Sequence, residues 1–453
     1  MIKPLALPLL VVFPFTTALT GCGGDKRPPE TPASVDVAPL PKAVQEAAER
    51  VERGLLTPVV VKGQPGMTLA ERMSYYRVPG VSIAVINRYA VEWARGYGAA
   101  EVGTDRRVTP DTLFQAASIS KPVAALGALV FVQRGWLGLD EDVNGKLRSW
   151  KVPENELTRT RRITLRALLS HSAGVTVHGF SGYGEGDSVP SISQLLTGEK
   201  PANSPAITVD LAPATQVRYS GGGYCIVQQL LVDVGHKPFP EILHETVLAP
   251  LGMIHSTFQQ PLPEELWKKA ASGHGTHGER IKGRWRTYPE MAAAGLWTTA
   301  SDLAYFGIEL QRARIGLPSR VLIPPMAAEM LTRQLGDAGL GIFINGRNAH
   351  AERFTHNGGN AGFGSLLVAY SYGKGAVILV NGDNGDELIQ EISRSIAKEY
   401  GWVGNFYRER PPPRAEPPAG DDQESRTTAS ALGELRRRAA EGRGWERMSG
   451  PLR

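Results

Sequence analysis

The sequence predicts an α/β fold: strands from both ends of one large domain meet in a single antiparallel sheet flanked by helices, with a mostly helical subdomain in the middle. Three observations carry this. Two β-rich runs, "PGVSIAVI" (79–86) and "VEWARGYG" (91–98), open the domain. Three more, "LGIFING" (340–346), "GSLLVAYS" (364–371) and "GAVILVNG" (375–382), close it. Between them lies mainly helical pattern and loop.

The elements follow in order. "MIKPLALPLLVVFPFTTALTGC" (1–22) has an early charge at Lys3, an apolar stretch too short and too interrupted by proline to span a bilayer, and small residues before Cys22. That is the pattern of an export signal. Its last four residues, "LTGC", resemble a bacterial lipobox, which implies that Cys22 is acylated and that the protein is exported and held on a membrane of the cell envelope by its lipid. Residues 23–41, rich in Gly and Pro, read as a tether. The domain proper is expected over 42–404 and begins with a helix over 42–56. The runs at 79–86 and 91–98, separated by "NRYA", predict a hairpin. Residues 122–134 are apolar nearly all round, which predicts a core helix, with Gly135 as its C-terminal cap. "DELIQEISRSIAKEY" (386–400) predicts a closing helix. Residues 405–425 form a proline-rich linker, and the tail 426–453 has apolar positions for no more than a short helix.

Composition narrows the function. With 42% hydrophobic and 21% charged residues the chain has material for a large core. Its 50 Lys and Arg barely exceed its 45 Asp and Glu, and no long basic block occurs, which argues against nucleic acid as a partner. The two cysteines, Cys22 and Cys225, predict no disulfide; Cys225 reads as a lone buried thiol. No glycine-rich phosphate loop opens a helix, so no nucleotide cofactor is expected. His274 and His277 in "HGTHGE" lack a helical context and a third ligand, so no metal site is expected either.

The chemistry begins at "QAASISKPVAAL" (115–126), where Ser118 stands three residues before Lys121 at the start of a buried helix. Positions i and i+3 share a helix face, about 5–6 Å apart at Cβ, so the amine reaches the hydroxyl. A serine hydroxyl is a weak nucleophile until a base takes its proton. Burial disfavours an ammonium and so moves a lysine toward the neutral amine that can act as that base. A serine at a helix start also benefits from the positive end of the helix dipole. Pro122 biases Lys121 away from helical angles, which predicts an irregular helix start. Alone, Ser-x-x-Lys reads more readily as a capping serine beside a lysine that reaches water.

Two later phrases supply partners in order. "RYSGGGY" places Tyr219, Ser220 and Gly221 at a turn before an apolar helix, and "FTHNGGNAGFGS" places His356, Asn357, Gly358 and Gly359 next to a strand. With "PGVSIAVI", "TPDTLFQAASISK", "GWLGLDEDV", "ITLRALLSHSAGV" and "AAAGLWTTASDLAYF", the region from about 42 to 404 resembles the serine hydrolase superfamily of class C β-lactamases, penicillin-binding D,D-carboxypeptidases, D-amino-acid peptidases and esterases. The resemblance implies a β-lactamase/transpeptidase-like fold. It implies Ser118 as the acylated nucleophile, Lys121 as the amine beside it, and Tyr219 as the phenol that shares proton transfer. By the same resemblance His356, Asn357 and Gly358 correspond to the Lys-Thr-Gly or His-x-Gly motif on the strand lining the site. Gly359 matches the position whose backbone N–H joins that of Ser118 in an oxyanion hole. Two departures stand out. Gly221 replaces the asparagine that holds a substrate's acylamino group, and His356 replaces the lysine that binds a carboxylate. Both argue for an esterase or peptidase rather than an efficient β-lactamase. His171 in "LLSHSAGV" is expected to make a structural hydrogen bond.

The expectation is therefore an exported, lipid-anchored serine hydrolase that takes a small-molecule or peptide acyl substrate and needs no cofactor. The alternative is a catalytically inactive domain that uses the same cleft to bind cell-wall fragments or a protein partner. Loops 178–212 and 259–289 are expected to set substrate choice.

Overall fold

The computed structural model describes residues 40–346, 351–404 and 406–410. The expected export signal with Cys22, nearly all of the expected tether, and the linker and tail beyond Arg410 lie outside the described residues.

The chain enters through α1 (Lys42–Glu52), shorter than the 42–56 expected because Gly54 follows its C-terminal cap Arg53. Helix α2 (Leu69–Tyr76) starts at Thr68, whose side chain accepts from the Glu71 N–H while Glu71 reaches back to the Thr68 N–H, a reciprocal capping box. Strands β1 (Gly80–Asn87) and β2 (Ala90–Gly98) form the expected hairpin. Its two turn residues, Arg88 and Tyr89, both adopt positive φ (53° and 63°), the backbone twist that a two-residue hairpin turn demands. The closing strands are β3 (Phe343–Asn345), β4 (Arg353–Asn360), β5 (Phe363–Tyr370) and β6 (Gly375–Val380). The sheet order is β2-β1-β6-β5-β4-β3, and every neighbouring pair is antiparallel. Pairing of β1 with β6, Val81 opposite Val380, joins the two ends of the domain as the sequence predicts.

The run 340–346 gives only the three-residue β3, less than the sequence predicts. The His356 phrase, which its own residues place next to a strand and the family resemblance places on one, lies in strand β4. Because β3 pairs only with residues 353–355, the outer edge of β4 from His356 onward has no strand beside it among the described residues. β4 pairs with β5 along its whole length, His356 opposite Leu367 and Gly358 opposite Ser365.

Strand β6 is buried along its whole length, so the sheet is covered on both faces. Helix α3 (Ser120–Gln133) is buried from Ser120 to Phe131, as its all-round apolar pattern predicts, and Gly135 at φ +72° ends it. Helix α4 (Gly221–Gly235) lies in the same core; its cap Ser220 accepts from the Gly223 N–H at 2.9 Å. Helix α5 (Met291–Ala294) is one turn packed between α3 and α4. Helix α6 (Ala300–Arg314) packs on the sheet face that carries Leu367 and Ala369, against which Gly307 rests. Helix α7 (Gly385–Glu399) turns an apolar stripe of Leu388, Ile389, Ile392 and Ile396 to the other face. The Ser118 turn lies on the α6 side, since Ser365 on that face donates to the Ala116 carbonyl at 2.8 Å.

Candidate active site

Ser118 sits in a 3-10 turn (Ala117–Ile119) that runs directly into α3. This is the irregular start that Pro122 predicts, although Lys121 itself is helical: packing in the core outweighs the local bias of a residue before proline. Ala117 carries the strain, at φ +49°, a left-handed conformation that costs an alanine about 1–2 kcal/mol. Three tethers hold the turn. The Ala116 N–H donates to the Leu296 carbonyl at 2.9 Å, the Ser120 hydroxyl donates to the Ala117 carbonyl at 2.6 Å, and the Leu296 N–H donates to the Ser120 hydroxyl at 2.9 Å. A side chain on such a turn is presented at a fixed angle.

Lys121 is 2% exposed, and its Nζ lies 3.0 Å from Ser118 Oγ and 2.8 Å from the Ala293 carbonyl, which α5 supplies. Burial pushes the amine down to about 7, from 10.5 for an ordinary lysine. The amine is therefore half neutral near physiological pH. Tyr219 stands beside this pair, its ring 4.8 Å from Lys121 Nζ. Burial pushes its phenol up to about 12, with the Ser118 contact pulling the other way, so Tyr219 stays a proton donor at neutral pH. The Tyr219 ring lies against His171, centroids 4.3 Å apart. His171, buried and at φ +56°, accepts the Ser220 N–H at 3.2 Å through Nδ1. It has the structural hydrogen bond that was expected and, beyond it, buttresses Tyr219.

His356 is also buried, and its Nδ1 lies 2.7 Å from the Asn357 carbonyl. A carbonyl only accepts, so Nδ1 carries the proton and Nε2, which has no protein partner, is an acceptor. Burial, reinforced by Lys121, drives the ring down to about 3. The position thus offers a neutral acceptor where a lysine would offer a cation. Asn357 and Gly359 are exposed on β4, while Gly358 faces inward. A Cβ at Gly358 would come 2.5 Å from the Ala116 carbonyl and 2.8 Å from the Ser118 nitrogen, so only glycine lets β4 approach the serine turn. Nothing crowds Gly359.

Gly221, expected among the substrate-binding residues, does not offer its backbone. Its N–H donates to the His178 carbonyl at 2.9 Å, and the ring of Phe180 fills the space a side chain there would take. His274 and His277 serve other ends. His274 is held between the Asn381 carbonyl and the Val102 N–H, and His277 sits beside Arg77. Among the described residues no group of three His, Cys, Asp or Glu side chains could hold a metal. Cys225 is buried and unpaired.

The sequence reading did not single out the Ala293 carbonyl, Phe180, Phe343 or Glu290. Phe343 packs near Tyr219 and His356, centroids 6.4 and 5.7 Å away. Glu290 stands at the start of α5, fully buried, with neither carboxyl oxygen bonded, and burial pushes it up to about 7. Its neighbours in sequence carry no pattern that marks it.

Comparison with known proteins places this geometry. The beta-lactamase family model matches residues 67–401, and the chain belongs to that family of hydrolases. Among characterised relatives it is 26% identical to penicillin-binding protein 4 of Amycolatopsis lactamdurans, covering 72% of this chain and 87% of that protein. It is 24% identical to an unguisins hydrolase of Aspergillus violaceofuscus over 67% of this chain, and spans 58% of that protein's length. The fold matches that of D-amino acid amidase from Ochrobactrum anthropi (TM-score 0.61, 19% identity, 79% of this chain and 98% of that one). It also matches an octameric penicillin-binding protein homologue from Pyrococcus abyssi (TM-score 0.60, 22% identity, 74% and 76%). The antiparallel sheet with flanking helices is thus the β-lactamase and penicillin-binding protein fold.

Proposed function

We propose that the protein is a serine hydrolase that cleaves an ester or amide through an acyl-enzyme on Ser118. The observation that carries the reading is the 3.0 Å contact between Ser118 Oγ and a buried Lys121 amine brought down to about 7. Ser118 Oγ attacks the substrate carbonyl as its proton passes to Lys121. The oxyanion that forms is received by the backbone N–H groups of Ser118 and Gly359, each worth about 3 kcal/mol to the transition state. As the intermediate collapses, the bond to the leaving group breaks, and Tyr219, resupplied by Lys121, gives that group its proton. Water then repeats the sequence on the acyl-enzyme, returning Ser118 and the free acid. No step draws on a cofactor.

Esterase or D-amino-acid peptidase-like action is favoured over β-lactam hydrolysis. A β-lactam presents a carboxylate and an acylamino group; His356, buried and neutral, gives the first no cation, and position 221 offers the second no amide. The amidase, penicillin-binding and hydrolase activities named among the relatives and fold neighbours fit the same acyl chemistry. A panel of p-nitrophenyl esters, D-alanyl peptides and a chromogenic cephalosporin separates the readings. Turnover of esters or peptides with slow cephalosporin hydrolysis is expected, whereas rapid cephalosporin turnover with esters untouched overturns the preference.

We propose in addition that the protein is exported and anchored through lipid on Cys22, on the strength of "LTGC". Cys22→Ser then shifts the protein from the membrane to the soluble fraction; an unchanged membrane fraction refutes the anchor.

A further inference from the structure

The first turn of α4, beside Tyr219, has no hydrogen-bonding group left for a substrate. The Gly221 N–H donates to the His178 carbonyl at 2.9 Å, the Gly222 N–H to the Val177 carbonyl at 3.0 Å, and the Gly223 N–H to the Ser220 hydroxyl at 2.9 Å. The Ser220 hydroxyl in turn donates to the Thr176 carbonyl at 2.8 Å. These bonds bind segment 176–180 to the helix. They hold it in an unfavourable shape, for Val177 sits at φ +62°, a left-handed conformation that a β-branched residue rarely adopts. Strain of this kind persists where the surroundings over-determine it and concentrates at functional sites. What the segment delivers is the ring of Phe180, partly exposed, with Cε2 2.9 Å and Cδ2 3.4 Å from where a Cβ on Gly221 would stand. His178 lies beside it, its ring centroid 4.9 Å from that of Tyr219.

We propose that Phe180 is a specificity-determining residue that walls the acyl side of the cleft with aromatic carbon. The substrates it selects are esters or amides whose acyl group is apolar and carries no acylamino substituent on the α-carbon. An acylamino group placed there would lose its water against the Phe180 ring and gain no partner from the first turn of α4, whose Gly221, Gly222 and Gly223 N–H groups are already committed; a polar group desolvated without a partner is disfavoured. An arylalkanoyl or alkanoyl chain instead stacks on the ring. This inference rests on the acyl-transfer reading above and adds the class of acyl group.

The test uses a matched pair: p-nitrophenyl 3-phenylpropanoate and p-nitrophenyl N-acetylphenylalaninate, in both enantiomers, differ only by the α-acetylamino group. Each kcat/KM is divided by the ester's alkaline hydrolysis rate, to remove intrinsic reactivity. Wild type is expected to favour the unsubstituted ester by about a hundredfold. Phe180→Ala narrows that ratio at least tenfold, and Phe180→Leu, which keeps apolar fill, narrows it less. Gly221→Asn alone weakens both substrates, since its side chain meets Phe180, while the double variant F180A/G221N turns the preference toward the acylamino ester. Labelling of Ser118 by a fluorophosphonate is measured on each variant to show an intact site. With labelling intact, a wild-type preference for the acylamino ester, or a ratio unmoved in both Phe180 variants, overturns the role of Phe180 alone. Absence of labelling in folded wild type overturns the acyl-transfer reading and this inference with it.

Discussion

The sharpest consequence of burying Lys121 is a pH profile. An ordinary lysine, with its pKa near 10.5, is neutral in only about one molecule in three thousand at pH 7. At about 7, Lys121 is neutral in half. Burial thus enlarges the population of competent base by about three orders of magnitude. The sign follows directly: the neutral amine is the active form, so kcat/KM rises as pH rises through the folded-state value. Stopped-flow hydrolysis of p-nitrophenyl butyrate between pH 5.5 and 9.5 is expected to climb tenfold per unit below pH 6.5 and to level above pH 7.5, with a midpoint near 7. Neither His356, which burial holds down at about 3, nor His171, which it holds well below its ordinary value, accounts for such a limb, and the third histidine beside Tyr219, His178, is tested by repeating the profile on His178→Gln, where the limb is expected to stay in place. Glu290 titrates in the same range, so the profile is repeated on Glu290→Gln, where the limb stays in place. Lys121→Arg, whose guanidinium never deprotonates, loses about a thousandfold in kcat/KM. A midpoint above pH 9, a flat profile, or an arginine variant with more than a tenth of wild-type activity at pH 8 refutes the reasoning.

Other expectations follow from the same geometry. Tyr219→Phe keeps the ring against His171 and beside Lys121 but removes the hydroxyl; kcat is expected to fall by about 10²–10⁴ with Tm within a few degrees of wild type, and undiminished turnover contradicts a proton-transfer role. Gly358→Ala drives a methyl into the Ala116 carbonyl and the Ser118 nitrogen, both backbone, so activity is expected to drop at least a hundredfold; wild-type rates would show that β4 can retreat without harm. Glu290 bears on stability. Its folded value of about 7 is raised above the unfolded 4.5, so its favourable contribution is complete below pH 4.5 and is lost as pH rises through 7, a difference of about 3 kcal/mol. The stability of Glu290→Gln relative to wild type is therefore expected to increase by about that amount between pH 4 and pH 8 in urea titrations, and a pH-independent difference contradicts it.

How far the sequence foretold this arrangement varied with the kind of signal. The β1–β2 hairpin and helix α3 were plain because their patterns are local: a two-residue turn between β-rich runs, and an apolar stretch with no polar face. Strand β4 was not, because "RFTHNGGN" has two glycines, two asparagines and a histidine, poor strand formers. It is extended because β5 pairs along its whole length, and its glycine is what the serine turn requires. The pairing of Ser118 with Lys121 was legible only through the later phrases in order, since Ser-x-x-Lys by itself fits a capped helix better. The Ala293 carbonyl, the Phe180 wall and the buried Glu290 were invisible for a different reason. Each depends on which segments meet across 60 residues or more of chain, or on a loop folding back onto a helix end, and neither composition nor periodicity records that.

The central claim is a covalent bond to one atom, and mass spectrometry reads it directly. Full-length protein treated with a fluorophosphonate at pH 8 is expected to gain a single adduct by intact mass, mapped to Ser118 in the peptide containing residues 115–121, while Ser118→Ala, shown by circular dichroism to be folded, gains none. A folded wild type that takes up no adduct, or a Ser118→Ala variant that labels as fully as wild type, contradicts the account.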